Sequence, residues 1–424
     1  MAGNELKMLG TELENVSDKV STVFEREDTF YSQLEKRPVE VVSARDMRFP
    51  LEMRSGGKFG YVDIDGGDLG RGDTPTFDKA VISTQNVRFA VEMTAKQLWA
   101  TDSERKARVN SFKRNLATSM EEFRRQVDGQ CMTDGTGVIG TITSVATAGG
   151  VDTYTLSTDG FRAKLMRFGS NINVFNAALT ICRTGGGMNN EVSIVFMDLA
   201  NNQIKVSPSV VGAVAGDVLV PSGLQNTPPV SILGIKYHNS SASTGTWMGF
   251  DRALNPEIRS SSVNANSSAL TLPLPRLAIN KIGDRLGKDA RKGLKAWTHP
   301  AQIQAYEELG FNTMRVDKQS NSDEGLNLYF NGVKQLAGAP LMESYNWDRT
   351  RIDFLGMDTL GRAELHPCGF YKNPENGQYV FDIRASSGGV ATSWIFYIVG
   401  SFNVFCTNPA ALSYVYTLAV PSGY

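Results

Sequence analysis

Histidine is scarce in this chain: three residues in 424, at His238, His299 and His366. That leaves little room for imidazole-based acid–base chemistry or for a His-rich metal site, and no H-E-x-x-H string exists. Cysteine is equally sparse. Cys131, Cys182, Cys368 and Cys406 lie far apart with no C-x-x-C pair, which excludes a zinc knuckle and a disulfide framework and fits a reducing compartment. Net charge is −1, so no global basic field draws the chain onto nucleic acid. The longest strongly apolar run, WIFYIV (Trp394 to Val399), is far short of the ~20 residues a membrane helix needs. The opening MAGNELKMLGTELENV carries no apolar core of a secretory leader, so a soluble protein made in a cytoplasm is expected. No G-x-S-x-G occurs, and Pro367-Cys368 lacks the second cysteine and the H-x-E partner of a deaminase.

What is present is an ordered series of unlike segments. Residues 1–44 read as an arm, in which Leu13, Val16, Val20, Val23, Phe24, Phe30 and Leu34 recur at helical spacing until Pro38. Residues 45–93 read as a long β-excursion. Alternating flanks at Val41–Arg45 and Val87–Val91 surround SGGKFGYVDIDGGDLGRGD, a tip with seven glycines between Ser55 and Asp73. A tip so rich in Gly and charge cannot build a core of its own. Lys58, Phe59, Tyr61, Arg71 and Asp73 on it are the candidate subunit-interface residues.

Residues 94–137 hold the clearest helix, with capping residues at Thr101–Glu104 and a stripe of Val109, Phe112, Leu116, Met120, Phe123 and Val127. Each of those side chains contributes about 1.5–3 kcal/mol if fully buried. Arg105, Lys106, Arg108, Lys113, Arg114, Glu121, Glu122, Arg124 and Arg125 are assigned to the opposite, solvated face.

Residues 138–250 read as an inserted small β-barrel. Charge thins there, and short strand-like runs at Asp152–Leu156, Asn171–Phe175, Glu191–Phe196, Gln203–Val206 and Asp217–Val220 alternate with Gly, Asn and Ser. Residues 251–365 mix elements. Pro275 opens a helix through Leu277, Ile282 and Leu286, Leu294–Thr298 is a buried strand, and Thr298 caps a helix that stops at Gly310. Residues 366–424 carry long antiparallel β between Tyr379 and Leu418.

Several short motifs invite chemistry and fail on context. Gly135–Gly140 has G-x-G-x-x-G spacing, but it leaves a helix and enters a strand, the reverse of a dinucleotide loop. Gly283–Asp289 is one residue short of a P-loop and ends in Asp where Ser or Thr binds magnesium. Asp63–Asp68 starts like a calcium loop, but Thr74 stands where the bidentate Glu belongs. Arg71-Gly72-Asp73 is a tripeptide that turns supply by chance. Seven Lys/Arg between Arg276 and Lys295 form either a solvated face or a contact for an acidic partner or packaged nucleic acid. No catalytic, cofactor or metal constellation is expected.

The order of parts resembles the major capsid proteins of tailed bacteriophages. LKAWTHPAQIQAYEELG (Leu294 to Gly310) looks like that family's strand, His-Pro and helix step. GVKQLAGAPLMESYNWDRTRIDFLGMDTLG (Gly332 to Gly361) looks like its paired-strand segment, and the stretch from DRALNPEIRS to INKIGDRLG (Asp251 to Gly287) resembles a branch carrying an extra module. The resemblance implies an α+β fold of Hong Kong 97-type: N-arm, extended loop over a neighbour, spine helix of a peripheral domain, and axial domain at 251–365. The chain would then return to peripheral strands at 366–424. It implies hexamers and pentamers closing into an icosahedral head around double-stranded DNA, with that DNA touched non-specifically. A separate scaffolding protein and a portal would be partners, with a decoration protein as a further candidate, assembly in the host bacterial cytoplasm and residence in the virion. It implies no enzyme activity, no cofactor and no membrane. The rival expectations are a bacterial nanocompartment shell protein and a β-rich surface-binding or tail protein.

Overall fold

The computed structural model describes residues 30–36, 46–62, 65, 67–94, 105–157, 166, 168–185, 190–198, 200–224, 226–313, 335–374, 377–384 and 390–421. Their architecture is α+β: two open sheets, a closed barrel, a projecting hairpin and a few helices.

The first sheet is organised by one strand, Val390–Cys406, whose 17 residues span about 55 Å at ~3.3 Å each. Leu360–Phe370 and Val380–Arg384 pair end to end along one edge of it, and Gln85–Thr94 pairs along the other. Glu35–Lys36 of the arm adds a short parallel strand outside Leu360–Phe370. The spine helix, Arg105–Gln130, packs on this sheet through Phe123, whose ring lies 6.3 Å from that of Phe89. Met120, Phe123 and Val127 are buried in the main core. Val109, Phe112 and Leu116 lie in the same helix, with side chains outside the described set, as does the expected cap at Thr101–Glu104.

The second sheet is mixed. Its order runs Ser261–Asn264, Ser413–Tyr416, Ile352–Gly356, Leu294–Thr298, Ala339–Glu343 and Gln335–Leu336. The tight turn at Ala337-Gly338 has positive φ at both residues, the geometry a two-residue hairpin demands. Helix Pro273–Leu286 covers the sheet with Ala278, Ile279 and Ile282.

The barrel closes as Val218–Pro221, Gly140–Ala148, Val151–Leu156, Gln203–Ser207, Val192–Asp198 and Asn171–Phe175. Val151–Leu156 alternates half-buried and buried residues, as a strand with one face on a core must. Its core, including Tyr154, Ile194, Ile204 and Leu219, is separate from the main one.

Several sequence-based expectations are corrected by these coordinates. The inserted module ends at Pro221, not near 250, because Ile232, Ile235, Trp247 and Phe250 belong to the main core. The chain returns along the exit of the spine helix: Ser231 donates to Gly135 at 2.8 Å and Ile235 to Cys131 at 2.8 Å. Gly234 is obligatory there, since a Cβ would collide with the Cys131 and Thr133 carbonyls. Val87–Val91 is not the returning leg of the hairpin, for it pairs with the long central strand, and the hairpin itself is Asp46–Arg54 with Thr76–Ser83. The opening leg at Val41–Arg45 falls outside the described residues.

Arg124 is 8% exposed rather than solvated, because the helix buries more than its apolar stripe. Leu277 and Leu286 are exposed, and the buried face of their helix is Ala278, Ile279 and Ile282. The helix after Thr298 runs Pro300–Thr313, through Gly310. Its first turn is capped by His299, whose Nδ1 accepts from the Ala301 amide, while Thr298 donates to the Arg351 carbonyl. Ser413–Tyr416 joins the second sheet, so residues 366–424 do not form one block of strands.

Candidate assembly surfaces

The hairpin is anchored near its base and bare at its end. Met47, Ala80 and Ile82 are buried, and Phe49 sits 5.6 Å from Phe405. The Val81 amide donates to Met248 at 3.1 Å, and Asn403 Nδ2 donates to the Ser83 carbonyl at 2.7 Å. Further out the Arg54 guanidinium meets Glu257 at 3.1 Å. Beyond Arg54 the pairing ends, apart from the Asp73 amide donating to Gly56 at 2.8 Å.

The tip residues chosen from sequence lie together there. Lys58 and Asp73 approach to 3.4 Å, both well exposed, a pair worth about 0–1 kcal/mol in water. Arg71 is exposed. Phe59 and Tyr61 are 90% and 98% exposed, their rings edge to face at 5.5 Å. Leu69 and Phe77 are exposed as well. An aromatic ring presents about 150–250 Å² of surface, so the pair alone is a patch of the size that marks an interaction site.

A second surface is already occupied, by the chain's own arm. Phe30 inserts against two tryptophans, 5.3 Å from Trp297 and 5.7 Å from Trp347, which stack on each other at 5.4 Å. The Tyr31 amide donates to Asp128 Oδ1 at 3.2 Å, and Asn346 Nδ2 donates to Asp128 Oδ2 at 2.9 Å. Burial pushes the Asp128 carboxyl up, opposed by those donors and by the Arg124 cation. The Tyr31 hydroxyl donates to Glu364 at 3.1 Å, Lys36 pairs with Glu364 at 2.9 Å, and Lys295 Nζ donates to Gln33 at 3.0 Å. Residues 30–36 thereby tie the spine helix and both sheets together.

This latch was only half visible in the sequence. Phe30 stood out as apolar, but its partners are 267 and 317 positions away by subtraction from Trp297 and Trp347, beyond any local pattern.

The groups that chemistry would use are committed to structure. Burial pushes the Cys368 thiol up to about 12 and raises Cys131 as well, so neither supplies a thiolate near neutrality. His238 is fully buried; Trp247 Nε1 donates to its Nδ1 at 3.1 Å, which leaves Nε2 to donate to the Val404 carbonyl at 2.9 Å. Burial holds this imidazole down at about 4, with the nearby Arg252 cation adding to the effect. Gly287, with φ 86°, ends the helix Pro273–Leu286 and leads only into a single four-residue 3-10 turn, Lys288–Arg291, so the P-loop-like string closes a helix where a phosphate loop would open a long one. Of the basic cluster, Lys281 and Arg285 donate to backbone carbonyls, and Arg291 to Asn280. Among the described residues no group of three or more His, Cys, Asp or Glu is placed to hold a metal ion. No described helix is long and apolar enough to cross a membrane.

No family model matches the chain, and no curated protein matches it. Solved structures do. The chain is similar to the capsid protein of cyanophage A-1(L), with 11% identity, a TM-score of 0.48, and 91% of this chain and 90% of that chain covered. It is similar to the capsid of a native GTA particle, with 10% identity, a TM-score of 0.46, and 92% and 89% covered. It is also similar to an encapsulin complex from Synechococcus elongatus, with 11% identity, a TM-score of 0.37, and 92% and 87% covered.

Proposed function

We propose that this chain is a shell-forming major capsid protein of the tailed-phage type, structural rather than catalytic. One observation carries the reading: an anchored hairpin holds two aromatic rings in open solvent beyond its last paired rung, on a molecule whose own cores are complete without them. A monomer gains nothing from that surface. A neighbour that covers it gains apolar burial, and repeated around a ring or lattice the gain multiplies. The motif at Leu294–Gly310 and the described residues 335–356 of the second motif support the same reading, since they fall on a central strand, helix and paired strands of the second sheet.

In this reading copies of the chain form hexamers and pentamers of an icosahedral head around double-stranded DNA. The hairpin Asp46–Ser83 lies over a neighbour, the arm ahead of the latched Phe30 reaches another, and the axial region, residues 251–365, meets its copies at the ring centre. A scaffolding protein and a portal direct closure in the bacterial cytoplasm, and the barrel is the face on which a decoration protein sits. The nanocompartment reading shares every surface and differs in cargo.

Negative-stain electron microscopy with light scattering on the overexpressed chain tests this. Uniform closed shells or capsomer-sized rings are expected, and nucleic acid inside favours the capsid over the nanocompartment. Removing Ser55 to Asp73 takes no residue from any of the hydrophobic cores and should give a folded, soluble subunit that closes no shell. Normal shells from that deletion would overturn the proposal.

A further inference from the structure

The helix Pro273–Leu286 and the 3-10 turn after it carry an unbalanced surface. Between Arg276 and Lys295 stand seven Lys/Arg against Asp284 and Asp289. Hydrogen bonding does not neutralise these cations. Lys281 and Arg285 donate to backbone carbonyls and Arg291 to an amide oxygen, so their charges persist. Lys292 meets Asp289 at 2.7 Å, but both are well exposed, where water screens the attraction. Leucines stand among the cations: Leu272, Leu277 and Leu286 are exposed, while Ala278, Ile279 and Ile282 face the core. A surface that mixes exposed leucine with net positive charge is complementary to an acidic amphipathic segment.

The chain's own sequence contains such a segment. Residues 1–29, outside the described set, hold seven Asp/Glu against three Lys/Arg, and Leu13, Val16, Val20, Val23 and Phe24 recur at helical spacing. The latch fixes where this segment is tethered. Phe30 rests on Trp297, and Gln33 accepts from Lys295 at 3.0 Å, at the end of the basic stretch. Arg291, shortly before Lys295, lies over Gly283 of the helix. The link from Phe24 to Phe30 reaches at most roughly 21 Å. As a helix, Leu13–Phe24 would be about 18 Å long, against about 21 Å for Pro273–Leu286.

We propose that in the free subunit the acidic arm clasps the basic helix face of its own chain. The stripe from Leu13 to Phe24 lies along Leu277 and Leu286, and Glu25, Glu27 and Asp28 meet Lys288 and Lys292. Tethering at Phe30 makes the contact intramolecular. An effective concentration of roughly mM order then lets a weak, screened attraction hold it. The clasp goes beyond the shell reading and does not need it. Where the arm is to reach a neighbour, the clasp has to open first.

Carbodiimide coupling of the full-length chain, read by mass spectrometry on the monomer fraction, tests it. Amide links from Glu25, Glu27 or Asp28 to Lys288 or Lys292 are expected, falling several-fold at about 1 M salt. Mixing isotope-labelled with unlabelled chains separates the geometries: links that join the two labels show docking between copies and overturn the clasp. No arm link at all also overturns it and leaves the shell reading standing. A second readout is chymotryptic cleavage after Phe24, which follows the open population. Lys288→Glu with Lys292→Glu touches no core and should speed that cleavage about fivefold. Adding Glu27→Lys and Asp28→Lys should restore the parent rate. Equal cleavage in parent and charge-reversed chain removes the clasp. Duplex DNA that shields Lys288 and Lys292 from acetylation in the full-length chain at about 0.15 M salt would make this a nucleic-acid face, and overturn the proposal as well.

Discussion

The barrel and the main core solve the same problem in opposite ways. The barrel is one continuous stretch, Gly140 to Pro221, whose strands close on each other and leave no sheet edge. Its buried apolar residues pack on one another within the same stretch of sequence, and chain entry and exit sit side by side, with Gly140 paired to Leu219. The main core is a composite. Phe30, Phe123, Trp247, Trp297 and Phe402 all contribute, and the Tyr31–Glu364 bond joins residues 333 positions apart. Local closure makes a module that can be lifted out. Long-range assembly makes a frame in which every strip depends on the others.

Two excisions put that difference at its sharpest. Replacing Gly140–Val220 with a short Gly-rich linker should leave a soluble, cooperatively folding chain, because Ser231–Gly135 and Ile235–Cys131 still hold the two ends together. Extending the excision to residue 250 removes Ile235, His238 and Trp247 from the main core and should abolish soluble protein. Circular dichroism and the melting profile of the two products decide it. Equal loss in both would mean that the barrel is integral, and equal survival that the return segment is dispensable.

The same contrast sets how much the sequence disclosed. Barrel strands were legible because alternation and turn residues are local signals. Ala148-Gly149-Gly150-Val151 is a two-residue turn with positive φ at both glycines, a hairpin mark in plain view. The spine helix was legible from its stripe for the same reason. The module's end was not, since nothing local separates Val220, on the last barrel strand, from Ile232, in the main core: both are apolar residues amid Gly, Ser and Pro, and only tertiary partners distinguish them. Arg124 read as solvated because a charge period cannot reveal that Asp128 waits one turn on to offset its burial. Of the candidate interface, Phe59 and Tyr61 were visible as aromatics in a Gly-rich tip, whereas the latch that holds Phe30 has partners far away in sequence and no local signature.

A single side chain should be enough to loosen the composite while sparing the barrel. Phe30→Ala removes the ring packed edge-on against the stacked Trp297 and Trp347 and should cost about 3–5 kcal/mol, the usual range for a buried Phe. The tryptophans report it cleanly, because residues 140–221 contain none. Urea melts followed by tryptophan fluorescence should shift to lower midpoint, while proteolytic resistance of the barrel stays unchanged. A shift in both would show that the two cores unfold as one unit.

Acid should pull at the same seam with a slightly smaller force. His238 sits on the return segment that the barrel boundary turns on, and its folded value of about 4 lies below the ordinary 6.5. A depressed histidine favours the folded state fully above pH 6.5, and that contribution drains away as pH falls toward 4, because the unfolded chain takes up the proton first. The loss reaches about 3 kcal/mol by pH 4. Protonation at Nδ1 also ends the hydrogen bond from Trp247, so the change is local to the main core. Buried Asp128 works the other way. Its raised carboxyl contributes most below the ordinary aspartate value and loses that contribution as pH rises, so it opposes the histidine's effect and the parent's slope is the balance of the two. His238→Gln removes the titrating group: it should lower stability at pH 7 and flatten the pH 4–6.5 dependence relative to the parent, measured by tryptophan-detected melts at each pH. An unchanged slope in the variant would place the acid sensitivity elsewhere, in the carboxylates rather than at the seam between barrel and frame.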